Sequence, residues 1–198
     1  MSCPDCGPDR RHFLKTDGLG AVALAASAAP KQTGSSETLV ATLHKSLTPE
    51  QRQTVALPFD HPLRSKVDAN WHITPARIGK SFTPDQQAMI TEIFRGLHNP
   101  DFVGNVMRHI DDDAKGLGNY SVALFGEPGT GKFEFVLAGR HCTVRCDGDS
   151  VDGAAFGGPI FYGHQASPGG TENPDHPGNV YWYQAKRANQ VFGALNGK

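Results

Sequence analysis

Seven residues, Gly126-Glu-Pro-Gly-Thr-Gly131-Lys132, admit two local folds, and the choice between them governs the reading of the whole chain. In a nucleotide-binding P-loop, G-x-x-x-x-G-K follows a strand and opens a helix whose first amides hold phosphate. A Ser or Thr after the Lys then ligates magnesium. Here Phe133 follows the Lys and offers no oxygen. Beyond it, Phe133, Phe135 and Leu137 alternate with Glu134, Val136 and Ala138, the period of a strand. The motif therefore reads as a hairpin loop, with Ser121 to Phe125 as one strand, Glu127 to Gly131 as the turn and Phe133 to Ala138 as the return. Pro128 presets φ, and Gly129 and Gly131 can take positive φ. ATP is not an expected ligand.

The alternation continues past Gly139. His141, Thr143, Arg145 and Asp147 fall on one face of the next strand, Cys142, Val144 and Cys146 on the other. The cysteine face reads as core. Four residues along a strand is about 13 Å, beyond disulfide reach, so Cys142 and Cys146 read as packed thiols. Asp147-Gly-Asp149-Ser-Val-Asp152-Gly153 has the outline of a calcium loop, but its third Asp comes one residue late and Gly158 stands where the bidentate Glu belongs. It reads as a turn. Ala154 to His164, with Gly157-Gly158-Pro159, reads as a tight apolar turn passing close to a neighbour or ligand.

Upstream, Leu39, Val40, Leu43 and Leu47 recur at helical spacing. Thr48-Pro49-Glu50-Gln51 and Thr83-Pro84-Asp85-Gln86 each carry an N-cap Thr, Pro at the first position and a Gln placed to reach back. The second opens a helix with a Met89, Ile90, Ile93, Phe94, Leu97 stripe, broken at Asn99-Pro100 and resumed by Phe102, Val103, Val106, Met107 and Ile110. His109 and Asp113 project together from this fourth helix, a spacing compatible with a shared metal. Asp111, Asp112 and Asp113 at its end oppose the helix dipole and call for a compensating charge, unless the helix stops early and leaves them solvated. The connection from Leu57 to Gly79 holds His61, Trp71 and His72, residues equally suited to lining a site or to plugging a core and meeting solvent. After a Pro/Gly/Asn loop containing His176, the recurrence of Tyr181, Ala185, Ala188, Phe192 and Leu195 predicts a last helix packed on the sheet.

Residues 1–29 read as an export signal. Asp9-Arg10-Arg11-His12-Phe13-Leu14-Lys15 resembles the twin-arginine pattern, an apolar run from Gly18 to Ala29 follows, and Ala26-Ser27-Ala28 supplies an A-x-A site. The run is too short for a bilayer, which needs about 20 apolar residues, so no stable membrane span is expected. The translocon is an expected partner, and the mature protein is expected in the periplasm or outside the cell. Cys3-Pro-Asp-Cys6 precedes the arginines and would leave with the signal. Residues 30–198 are long enough for a single domain. A net charge of −1 gives no basic surface for nucleic acid or an anionic membrane. Nine histidines leave metal binding and proton chemistry open.

The segments Asn70-Trp-His-Ile-Thr, Arg95-Gly-Leu-His98, Ser121-Val-Ala-Leu-Phe-Gly, Gly139-Arg-His141 and Ala155-Phe-Gly-Gly-Pro-Ile-Phe-Tyr-Gly-His164 resemble a family catalogued as domain of unknown function 3500. The resemblance implies an exported protein, supplies no activity, and implies relatives that continue past residue 198, so the chain reads as truncated at its C-terminus.

The architecture expected is α+β, with a helical N-terminal half, an antiparallel meander around residues 120–164 and a C-terminal helix. The function expected is metal-assisted hydrolysis of a small-molecule or peptide ligand. His141 and His164 would ligate a divalent metal or shuttle protons, and Arg145 would hold an anionic group. The alternative is a non-catalytic envelope module that binds a ligand or partner.

Overall fold

The computed structural model describes residues 35–130, 132–147, 161–162, 176 and 178–195. Residues 1–29, read above as an export signal, the rest of the calcium-like loop, and the glycine-rich turn with His164 apart from Phe161 and Tyr162 lie outside the described residues.

Helices α1 (Ser35–Ser46), α2 (Pro49–Val55), α3 (Ile78–Ser81), α4 (Pro84–Gly96) and α5 (Val103–Ala114) precede strands β2 (Ser121–Glu127), β3 (Lys132–Gly139), β4 (Cys142–Asp147) and β5 (Phe161–Tyr162), and α6 (Trp182–Ala194) follows. The fold is α+β, as the pattern predicts. Both Thr-Pro-x-Gln segments form complete capping boxes. Their glutamines also bind each other, Gln51 Nε2 to Gln86 Oε1 at 2.9 Å and Gln86 Nε2 to Gln51 Oε1 at 3.0 Å, so the two helix starts meet. Each cap is worth about 1 kcal/mol.

The hairpin reading of the glycine-rich motif holds. Lys132 opens β3 and pairs in register with Glu127, and the loop between them takes Gly129 at φ +92°. Gly126 takes φ +73°, and a Cβ there would lie 2.3 Å from the Lys132 carbonyl oxygen, so no larger residue fits. The Lys132 ammonium sits 5.2 Å from the centre of the Phe59 ring.

The sheet runs in chain order from β1 (Ala56–Leu57) through β2, β3 and β4 to β5, with β2 to β5 antiparallel. The two-residue strand β1 (Ala56–Leu57) adds a parallel edge on β2 that the alternation pattern is too short to reveal. One face carries Val122, Leu124, Phe133, Phe135, Leu137, Cys142, Val144 and Cys146 against the helices. Cys142 and Cys146 are buried free thiols, as expected.

Two expectations are corrected. The opposite sheet face, expected to be the one that lines a site with His141 and Arg145, is covered: Ala123, Phe125, Val136 and Ala138 form a second core with Trp71 and Ile73, and Thr143, Arg145 and Asp147 are buried there too. The covering layer is the segment 58–77, whose Trp71 plugs the core and donates its indole N–H to Thr143 Oγ1 at 2.9 Å. Helix α6 does not bury its stripe on the sheet. Its start packs on α5, with Tyr183 stacked on Phe102 at 3.8 Å, while Val191, Phe192 and Leu195 stay exposed.

Candidate functional site

Of the residues expected to act together, Arg145 and His141 are separated. Arg145 is fully buried between sheet and covering segment. Its guanidinium pairs with Glu134 on β3 and donates to the backbone carbonyls of Arg64 and Lys66. Arg64 meets the other oxygen of Glu134 at 3.1 Å. A guanidinium committed to a carboxylate and two carbonyls ties segment 58–77 to the sheet and is not presented to a ligand, which corrects the role expected for Arg145.

His141 does not belong to β4. Arg140 and His141 form the two-residue connection between β3 and β4, and His141 takes φ +53°, a left-handed conformation normally left to Gly or Asn. Several contacts hold it there. The His141 amide donates to the Ala69 carbonyl at 2.8 Å, and the Tyr120 hydroxyl donates to the Arg140 carbonyl at 2.6 Å. Burial, with Cys142 and Asp113 nearby, pushes the Tyr120 phenol far above its usual range and keeps it a donor. The Tyr120 ring also lies where a Cβ on Gly139 would be, 2.1 Å from its Cδ1.

This turn delivers His141 to Asp113. Helix α5 runs through all three carboxylates, and Asp111 and Asp112 are exposed, but the Asp113 side chain is only 3 % exposed. Its Oδ2 lies 2.8 Å from His141 Nδ1 and its Oδ1 3.0 Å from Arg140 Nε. Arg140 is the charge that offsets the carboxylate at the helix C-terminus, and His141 adds a hydrogen bond to it. His109 departs from the shared-metal reading: it is buried and packs edge-on against Tyr181 at 5.6 Å.

Asp113, though not His141, lines a cleft of about 390 Å³ together with Asn70, His72, Arg77, Lys115 and Arg140 among others. Lys115 caps α5 at φ +60°. Among the described residues, Lys115 and His141 are the two non-glycine residues with positive φ, and both flank Asp113. Strained backbone of this kind collects at functional sites. His72 donates its Nε2–H to the Asn119 carbonyl, 3.0 Å away, and partial burial and the Arg77 charge lower its pKa. Among the described residues no three His, Cys, Asp or Glu side chains form a metal-binding group. His164, the expected partner of His141, lies outside them.

Sequence reasoning found His141 and weighed Asp113, but missed Arg77, Lys115 and Arg140. The usable signal was the run Asp111 to Asp113, whose demand for a compensating cation Arg140 meets.

No curated protein and no solved structure matches this chain. Residues 30–194 match the family described as Protein of unknown function (DUF3500), and the chain belongs to that family.

Proposed function

We propose that the chain is an exported hydrolase-type enzyme in which Asp113 orients His141 and His141 moves protons at the edge of the cleft. One observation carries this reading: a carboxylate 3 % exposed holds Nδ1 of an imidazole that is itself 27 % exposed. With the Nδ1 proton donated to Asp113, Nε2 keeps its lone pair and can take a proton from water or a substrate hydroxyl. Asp113 then stabilises the imidazolium, and Arg140 on its other oxygen keeps the carboxylate from turning away. The same Nε2 would serve as a ligand to a divalent metal, with Asp113 behind it as the carboxylate that fixes a ligating histidine. His164 is the second ligand in that form of the proposal. The export reading rests on the twin-arginine-like segment around Arg10 and Arg11.

The test is turnover by the purified mature chain on a panel of chromogenic esters and amides, with and without a chelator. His141→Asn and Asp113→Asn are expected to lower the rate about 10²–10⁴-fold. Loss on chelation assigns the metal form, and persistence assigns proton transfer alone. Wild-type rates in both variants sink the proposal. Ligand binding without turnover on any substrate favours the binding-module alternative.

A further inference from the structure

We propose that the cleft beside Asp113 and His141 takes a substrate bearing an oxyanion, a carboxylate or a phosphate, held by Arg77, Lys115 and Arg140. The inference rests on the acid–base reading of that pair and adds the chemical class on which it acts.

Three cations reach this cleft from three separate parts of the fold. Arg77 stands at the start of α3, Lys115 at the left-handed cap of α5 and Arg140 in the β3–β4 connection. One carboxylate lines the cleft with them, Asp113, and it is already engaged by Arg140 Nε and His141. The protein as a whole carries a net charge of −1, so the excess of cations here is local and does not reflect a basic chain. Like charges brought together on an open surface repel, and the arrangement becomes favourable when an anion sits among them.

The hydrogen-bonding groups agree. Arg140 uses Nε on Asp113, and its two terminal nitrogens make no hydrogen bond among the described residues. Arg77 makes one long bond, Nη1 to the Thr74 carbonyl at 3.4 Å. Guanidinium groups with unused terminal N–H pairs suit the two-oxygen edge of a carboxylate or phosphate. An oxyanion gripped by Arg140 would sit next to Asp113, whose other oxygen holds His141.

The experiment titrates the purified mature chain with inorganic phosphate and, separately, with succinate at constant ionic strength, using sodium chloride as control and reading binding by calorimetry. Saturable binding of at least one probe is expected, weakened at least tenfold in Arg77→Gln and in Lys115→Asn, the latter keeping a residue that tolerates positive φ. Which probe binds distinguishes a phosphate from a carboxylate substrate. His141→Asn should retain binding, and circular dichroism identifies any variant that has failed to fold. No response beyond chloride, or unchanged affinity in both folded cation variants, overturns the inference. Loss of turnover in His141→Asn with no anion binding would leave the acid–base reading standing and remove this one. Anion binding with undiminished turnover in His141→Asn would do the reverse.

Discussion

Glu134 and Arg145, on the adjacent strands β3 and β4, form an ion pair in which the Glu134 side chain is 4 % exposed and the Arg145 side chain 0 %. A pair so dry contributes little net energy over an apolar substitute, yet breaking it strands a charge. Arg145→Leu should therefore destabilise the fold by about 3–5 kcal/mol, read as a lower midpoint in urea. Adding Glu134→Leu should restore part of the loss and not all of it, because the Arg64 and Lys66 carbonyls remain without their donor. Full additivity of the two losses would show that the residues do not act as a pair.

The turn at residue 141 gives a prediction that separates backbone from chemistry. His141→Asn and His141→Val both remove the imidazole, but only asparagine adopts φ near +53° readily. The valine variant should be less stable by roughly 1–2 kcal/mol, with both equally inactive. Equal thermal midpoints would mean that the left-handed turn is not what the surrounding contacts impose.

Gly139→Ala tests the contact that shapes this turn. The new Cβ would press into the buried Tyr120 ring, which cannot swing out without breaking the bond from its hydroxyl to the Arg140 carbonyl. A loss of about 1–3 kcal/mol is expected from overpacking. If Tyr120→Phe gives more than the roughly 1 kcal/mol of one hydrogen bond, the hydroxyl matters to the turn beyond its own energy.

Three histidines set a pH dependence. Burial lowers the pKa of His44, His72 and His98, aided by Arg52 at His44 and by Arg77 at His72. The unfolded chain, with ordinary histidines near about 6.5, therefore takes up protons before the folded one does. Stability is complete above that value and falls as the pH drops below it. His98 lies 2.7 Å from the Phe94 carbonyl through Nδ1. His98→Gln should flatten the fall in urea midpoint over roughly pH 6.5 to 5, and an unchanged slope would assign the effect elsewhere.

Local patterns transmitted much of this fold. The two Thr-Pro-x-Gln starts, the hairpin around Pro128 and Gly129, and the alternation through β3 are encoded by neighbours in the chain, and they appear as read. What a period of two cannot say is whether a face meets water or another layer. Arg145 read as open to a ligand because the layer above it is an irregular segment with no periodicity of its own. The site was legible to the same limit. His141 stood out by type, but its departure from the strand depends on Tyr120, Ala69 and Asp113, between 21 and 72 positions away in the chain. The exposed stripe of α6 obeys the helical period and still does not bury, since the period marks an apolar face without naming its cover.

Sheet order that repeats chain order has a kinetic corollary. β2, β3 and β4 meet through connections of four and two residues, so the meander needs only short loop closures and can condense early. Segment 58–77 joins it through partners 72 to 81 positions distant, Trp71 with Thr143 and Arg145 with the Lys66 and Arg64 carbonyls. It is expected to dock late, bringing Asn70, His72 and Arg77 with it. A chain stalled before that step would have its sheet and lack half of its cleft, so recovery of ligand binding after dilution from denaturant should lag behind recovery of β-structure.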